Sequence, residues 1–397
     1  MIELYRSDTL CVRAYPGSDI RRWIVTFDNY GMEAGFERKA FAEDFLRSEN
    51  VSFVTFMGSG NNWYQYSDTL TAARLVRAYL AGAEHVMTYG SSMGGYAALR
   101  LAHPIGATAC LSLSPQFSND PRKARFEQRW RQEGQATRWL KGIDGVLRAS
   151  FRPVIAYDPT DLDGRHVALI AREIPITSLP IRYAGHPVST YLSMSRALRP
   201  LVFAVLDGSL DAEAFLAELR SSTKLNPFYL SELAKRQPAH RARLAIRLAR
   251  RAVELAPGDE LMLHVLAGRL TAAEQHEEAL ELHARAVVQS GGFIGYALPY
   301  SEALYAGGRA NESLAVARQI TADHPDYAQL HHWLSVISWK TGYRAEALRH
   351  ARIAKQLNPV NKAYTRFYNF VRRESGSGGI ARLQRAWHRL RRTPFPV

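Results

Sequence analysis

Six consecutive residues, Gly90-Ser91-Ser92-Met93-Gly94-Gly95, carry the sharpest chemical signal in this chain. They follow an apolar run, His85-Val-Met-Thr-Tyr89, and precede Tyr96-Ala-Ala-Leu-Arg-Leu-Ala102. A G-x-S-x-G pentapeptide between a strand and a helix raises a serine hydroxyl on a tight bend, where a flanking side chain would clash. The expected nucleophile is Ser92. The amide of Met93 would then face a developing oxyanion at a helix N-terminus, where the dipole favours negative charge. No lysine follows the glycines, which excludes a P-loop.

A serine nucleophile needs a base. Four histidines lie in the first 200 residues: His85, His103, His166 and His186. His85 opens the run before Ser92, His103 closes the helix after it, and His166 sits in a helical segment. His186, in Tyr183-Ala-Gly-His-Pro187, follows the last strand signal and gives the chain order serine, acid, histidine. Three carboxylates crowd the segment Tyr157-Asp-Pro-Thr-Asp-Leu-Asp163, and Asp158, Asp161 and Asp163 each remain candidates for the acid.

The elements that must position these groups alternate. Strands are expected at 22–27, 51–56, 85–90, 107–114, 153–158 and 175–183, after an opening strand or hairpin. Between them lie a segment from Gly35 to Glu49 with apolar residues at helical spacing, a helix over 68–81 with Asp68 as N-cap, a helix over 93–102 and another near Arg165. Such alternation predicts a mostly parallel sheet with helices on both faces. Residues 115–150 break the rhythm with charges, glycines, Trp130 and Trp139, and read as an insertion able to cover the site.

Residues 1–222 resemble an α/β-hydrolase domain through this serine bend and its downstream acid and histidine. The resemblance implies an α/β class, a Ser–acid–His triad and no fixed substrate. It places the acid a few residues past its strand, which suits Asp163, while Asp158 at the strand end and Asp161 stay open. It also implies a second oxyanion donor from the loop after an early strand, here at Phe27 or Asp28. Asn61, Asn62 and Trp63, after the next strand, are candidates to line the pocket.

From about residue 223 the strand signal disappears. Pro325 and Pro359 are 34 residues apart, and Pro257 lies two such periods before Pro325. Twelve residues before each mark of the period stand Ala245, Ala279, Ser313 and Ala347; five before stand Ala252, Ala286, Ile320 and Ala354. Gly308 and Gly342 share one place in the period, where two helices must turn. This all-α domain, 223–397, resembles a tetratricopeptide-like solenoid over roughly 227–360, least well at Ile320. The resemblance implies a protein partner.

Composition bounds the rest. The formal net charge of +14 comes from arginines spread along the chain. Residues 380–392 concentrate them around Leu383, Trp387 and Leu390, and read as a polar cap on the repeats or as a helix for a membrane surface. Aromatics are too sparse there for a nucleic-acid site. Two cysteines, Cys11 and Cys110, form neither a disulfide framework nor a metal spacing. With no signal-peptide pattern, a cytoplasmic protein without metal or cofactor is expected. The expected activity is that of a serine esterase, deacylase or acyl-transferase acting on a small-molecule or glycan acyl ester. The alternative is a catalytically silent interaction scaffold.

Overall fold

The computed structural model describes residues 1–33 and 35–376, in two compact units that divide between Arg236 and Gln237. The first unit extends 14 residues beyond the expected limit of 222, because the helix Pro227–Lys235 belongs to it. The basic segment 380–392 lies outside the described residues.

The first unit is built on a mixed sheet of eight strands, with order β1-β2-β4-β3-β5-β6-β7-β8. β1 (Ile2–Arg6) and β2 (Leu10–Tyr15) form an antiparallel hairpin, and β2 pairs antiparallel with β4 (Ser52–Gly58). The remaining strands run parallel: β3 (Arg22–Phe27), β4, β5 (His85–Ser91), β6 (Ala109–Leu113), β7 (Val154–Tyr157) and β8 (Thr177–Pro180). Covered strands have no solvent face, so they read as near-continuous apolar runs. Val25, Phe27, Val54 and Phe56 accordingly join a core with Ala72 and Val76 of one helix and Tyr96, Ala97 and Leu101 of another.

Helix α1 (Glu43–Ser48) is shorter than the spacing from Gly35 predicts. Ala42 takes a left-handed backbone (φ 61°), which stops the helix on its N-terminal side. Arg38 instead ties the preceding loop to the Asp28 carboxylate at 2.7 Å. Helix α2 (Thr69–Tyr79) begins as expected, but Asp68 does not cap it. Its carboxylate accepts hydrogen bonds from Tyr5, Ser7 and Thr9 of the opening hairpin. Then come α3 (Met93–Ile105), the short α4 (Arg131–Ala136), α5 (Leu162–Glu173), α6 (Val188–Met194), α7 (Leu198–Leu206), α8 (Ala212–Ser222) and α9 (Pro227–Lys235).

Among its described residues the second unit is all helical: α10 (Ala242–Leu255), α11 (Glu260–Ala272), α12 (His276–Gln289), α13 (Ile294–Ala306), α14 (Ala310–Asp323), α15 (Ala328–Lys340), α16 (Arg344–Leu357) and α17 (Lys362–Gly376). The 34-residue period is visible in its packing. Ala245, Ala279, Ser313 and Ala347 are all buried. Close approach of paired helices lets side-chain hydroxyls reach the opposite backbone: Ser301 Oγ donates to Ser313 O (2.9 Å), and Ser335 Oγ to Ala347 O (2.8 Å), one period on. Gly308 and Gly342 turn with φ of 80° and 92°, and Glu274 takes the same left-handed turn one period earlier. Ile320, the large residue at a small position, packs with Ala297, Leu298 and Leu330.

Candidate active site

The bend at Ser92 is enforced sterically. A Cβ on Gly90 would stand 2.1 Å from Gly94 O, one on Gly94 2.4 Å from Phe27 O, and one on Gly95 2.8 Å from Leu113 O. None of these contacts is tolerable, so α3 packs against β3, β5 and β6 only because all three residues are glycine. Ser92 itself has φ 54° and ψ −118°, a conformation that L-residues adopt only when the surroundings compel it. Its amide donates to Leu113 O at 2.9 Å, and its carbonyl accepts from Tyr96 at 3.0 Å. Backbone on both sides therefore fixes where its hydroxyl points.

That hydroxyl lies 2.9 Å from His186 Nε2. His186 Nδ1 is 2.8 Å from Asp163 Oδ2 and 3.0 Å from Oδ1. Asp163 is fully buried on the first turn of α5. Burial pushes its carboxyl upward, but the His186 hydrogen bond and charge, with the Arg129 guanidinium, outweigh it and hold Asp163 below the usual carboxylate value. An ionised acid fixes Nδ1 as the protonated nitrogen and leaves Nε2 free to accept the Ser92 proton.

The other two aspartates have structural partners. Asp161 caps α5 by accepting from Leu162 N. Asp158 accepts from Thr160 N (2.8 Å), Thr160 Oγ1 (2.6 Å) and Gly185 N (3.0 Å), and pairs with Arg236 at 2.9 Å. It thus anchors the loop that carries His186 without touching the imidazole. Of the remaining histidines, His85 and His103 are exposed on the ends of β5 and α3. His166 is buried, accepting from Phe117 N at Nδ1 (3.1 Å) and facing Glu127 at 3.0 Å from Nε2.

Met93 opens α3 directly after Ser92, so its amide is among the first-turn donors that have no acceptor within the helix. The expected donors on the β3 side need correction. The Asp28 amide donates to Phe56 O (3.3 Å), and its carboxylate is held by Arg38 and by Phe41 N (3.0 Å). Phe27 and Asp28 turn carbonyl oxygens toward Gly94, which is the wrong polarity for an anion. Asn61 accepts from Gly31 N at its side-chain oxygen. Trp63 is fully buried and donates its indole N–H to Gln116 Oε1 at 2.9 Å.

Residues of the 115–150 insertion complete the surroundings. Arg129 reaches Asp163 Oδ1 at 3.0 Å and Glu127 at 2.7 Å. The Trp130 ring lies 5.2 Å from the His186 ring and 5.9 Å from Trp63. Gln116 Nε2 lies 3.4 Å from Ser92 Oγ. With this cover in place, Ser92 is only 5% exposed. The arginine and glutamine roles are not foreseeable from spacing, because both arise from side chains of an irregular segment. The one available signal is that Gln116 lies three residues past β6, level with the strand ends where Ser92 emerges.

Among the described residues, no group of three His, Cys, Asp or Glu side chains is placed to hold a metal ion, and no helix is long and apolar enough to cross a membrane. No family model matches the chain, and no curated protein matches it. Solved structures similar to it include tetratricopeptide proteins, which match the helical part. A thermophilic tetratricopeptide protein of Thermus thermophilus, TTC0263, is 18% identical with a TM-score of 0.35, over 45% of this chain and 98% of that one. YrrB, described as a tetratricopeptide protein with an unusual peptide-binding site, is 18% identical with a TM-score of 0.33, over 44% and 89%. MamA is 14% identical with a TM-score of 0.32, over 38% and 91%.

Proposed function

We propose that the first unit is a serine hydrolase or acyl-transferase of α/β-hydrolase type, working through an acyl-enzyme on Ser92. The observation that carries this reading is the continuous chain from Ser92 Oγ through His186 to Asp163, with links of 2.9 Å and 2.8 Å at their closest. His186 Nε2 takes the serine proton as Oγ attacks an acyl carbonyl, then returns it to the leaving oxygen or nitrogen. Asp163 keeps the imidazole in the competent tautomer and stabilises its charged form. Water or a second alcohol then attacks the acyl-enzyme by the same route in reverse. The aromatic side chains Trp63 and Trp130 favour an acyl ester with an apolar or ring-bearing portion. A screen of small acyl esters and acylated glycans tests this, with Ser92→Ala as the control that must lose turnover.

We further propose that the repeat array of the second unit recruits a protein partner to this chemistry. Stacked helix pairs present extended surfaces suited to peptide segments. The second reading is that the whole chain is an interaction scaffold with a silent first unit. It requires wild type and Ser92→Ala to behave alike in the screen.

A further inference from the structure

Resting on that reading of Ser92, we propose that the side-chain amide of Gln116 is an oxyanion donor beside the Met93 amide, a part that the Asp28 amide cannot take. Three observations point to it. The Asp28 amide is committed to Phe56 O, and the end of β3 presents carbonyls to α3. Gln116 Nε2 is 3.4 Å from Ser92 Oγ, and Gln116 is 1% exposed. The amide is also held in one orientation. Trp63 Nε1 can only donate, and it meets Oε1 at 2.9 Å; Ser114 O can only accept, and it faces Nε2 at 3.4 Å. The N–H edge is thereby directed at the nucleophile.

The elements around Gln116 are rigid in the same sense. The Trp63 carbonyl accepts from Gln65 Nε2 at 2.9 Å, and its ring packs against Trp130 and Trp139. Ser114, which carries the chain from β6 toward Gln116, is bonded through its amide to Ala156 O and through its hydroxyl to Val188 N. A donor held this way loses little entropy when the charge appears.

As Ser92 Oγ bonds to the acyl carbon, its proton passes to His186 Nε2 and the carbonyl π pair moves onto the carbonyl oxygen. That oxygen becomes an anion close to the atom Gln116 already faces. It accepts from Met93 N–H and from Gln116 Nε2–H. On collapse the pair returns, the bond to the leaving group breaks, and His186 gives that group the proton. The hydrogen bond from Gln116 to the carbonyl oxygen strengthens as that oxygen becomes an anion, which is the condition for speeding the chemical step rather than tightening ground-state binding.

The rate at which an alkyl fluorophosphonate labels the purified full chain tests this, because its phosphoryl oxygen occupies the oxyanion position. Gln116→Glu keeps the shape and the acceptor for Trp63 but removes the amide donor; Gln116→Ala removes the group altogether. Both variants are expected to label Ser92 about 10²–10³ times more slowly than wild type, the range for loss of one such donor, at a temperature where thermal melts show each variant folded. If Gln116→Glu and Gln116→Ala label within about twofold of wild type while Ser92→Ala does not label, Gln116 is no oxyanion donor and the Ser92 reading stands. If wild type itself does not label at Ser92, both fall together.

Discussion

Arg129 Nη2 stands 3.0 Å from Asp163 Oδ1, on the carboxylate that also receives His186 Nδ1 at 2.8 Å. The arginine comes from the irregular 115–150 segment and the aspartate from α5, so one ion pair joins the cover of the site to its acid. The pair is shared: Arg129 also holds Glu127, whose other partner is His166 of α5. Burial alone would raise the Glu127 carboxyl; the His166 hydrogen bond and Arg129 bring it down to about 2.

Removing Arg129 leaves two buried carboxylates short of their cation. Arg129→Met is expected to destabilise the first unit by roughly 3 kcal/mol, the order found when one partner of a buried pair is deleted. Urea unfolding followed by tryptophan fluorescence measures it. A loss under about 0.5 kcal/mol, the size of an ordinary surface substitution, would mean the insertion is not held through this pair.

The three aspartates separate by role. Asp163→Asn leaves an imidazole with no anionic partner and is expected to lower kcat by about 10⁴. Asp158 meets Thr160, Gly185 and Arg236 but not the imidazole, so the effect of Asp158→Asn on kcat is expected to be at least about tenfold smaller. Steady-state rates on any ester turned over by the wild type decide between them.

How much of this was legible beforehand differs by element. The bend at Ser92, the placement of His186 and the strand signals followed from local spacing, since buried parallel strands and glycine-dependent turns leave their mark in neighbouring residues. The choice among Asp158, Asp161 and Asp163 did not, because all three lie within one short segment and differ only in which partner each meets across the fold. Asp68 misled for the same reason: its three hydroxyl partners lie some sixty residues away. The oxyanion expectation at Asp28 failed because a main-chain amide's partner is set by strand register, invisible in residue types.

Glycine substitutions test the bend directly. A Cβ at Gly90 would lie 2.1 Å from backbone, whereas at Gly60 nothing lies within 4 Å. Gly90→Ala is expected to cost about 3 kcal/mol or to prevent folding, the upper end for overpacking; Gly60→Ala is expected to stay within about 0.5 kcal/mol, as exposed positions do. Comparing their thermal melts tests the steric account.

The repeat unit carries a pH dependence of its own. His331 Nε2 faces Pro325 O at 2.8 Å, an acceptor, so that nitrogen bears the proton. His331 Nδ1 must then accept from His350 Nδ1, 2.8 Å away, and His350 Nε2 accepts from Arg349. The His350 ring, donating at Nδ1 and accepting at Nε2, is neutral in this chain of bonds. Burial, with Arg349 and His331 beside it, pushes His350 down to about 4, against about 6.5 when unfolded. The unfolded chain therefore binds the proton first, and the stability this arrangement contributes is present above about pH 6.5 and lost as pH falls toward about 4. Amide exchange in α15 and α16 is expected to lose protection over that window, and to lose less of it in His350→Leu.

The central claim is that Ser92 is a nucleophile activated by His186. The most direct measurement is mass spectrometry of the full chain after exposure to a fluorophosphonate, with the adduct mapped by peptide. A single adduct on the peptide containing Ser92, absent in Ser92→Ala and slowed roughly a thousandfold or more in His186→Ala, is the predicted result. An unmodified Ser92 in the folded wild type, or an adduct that forms as fast without His186, would contradict the account.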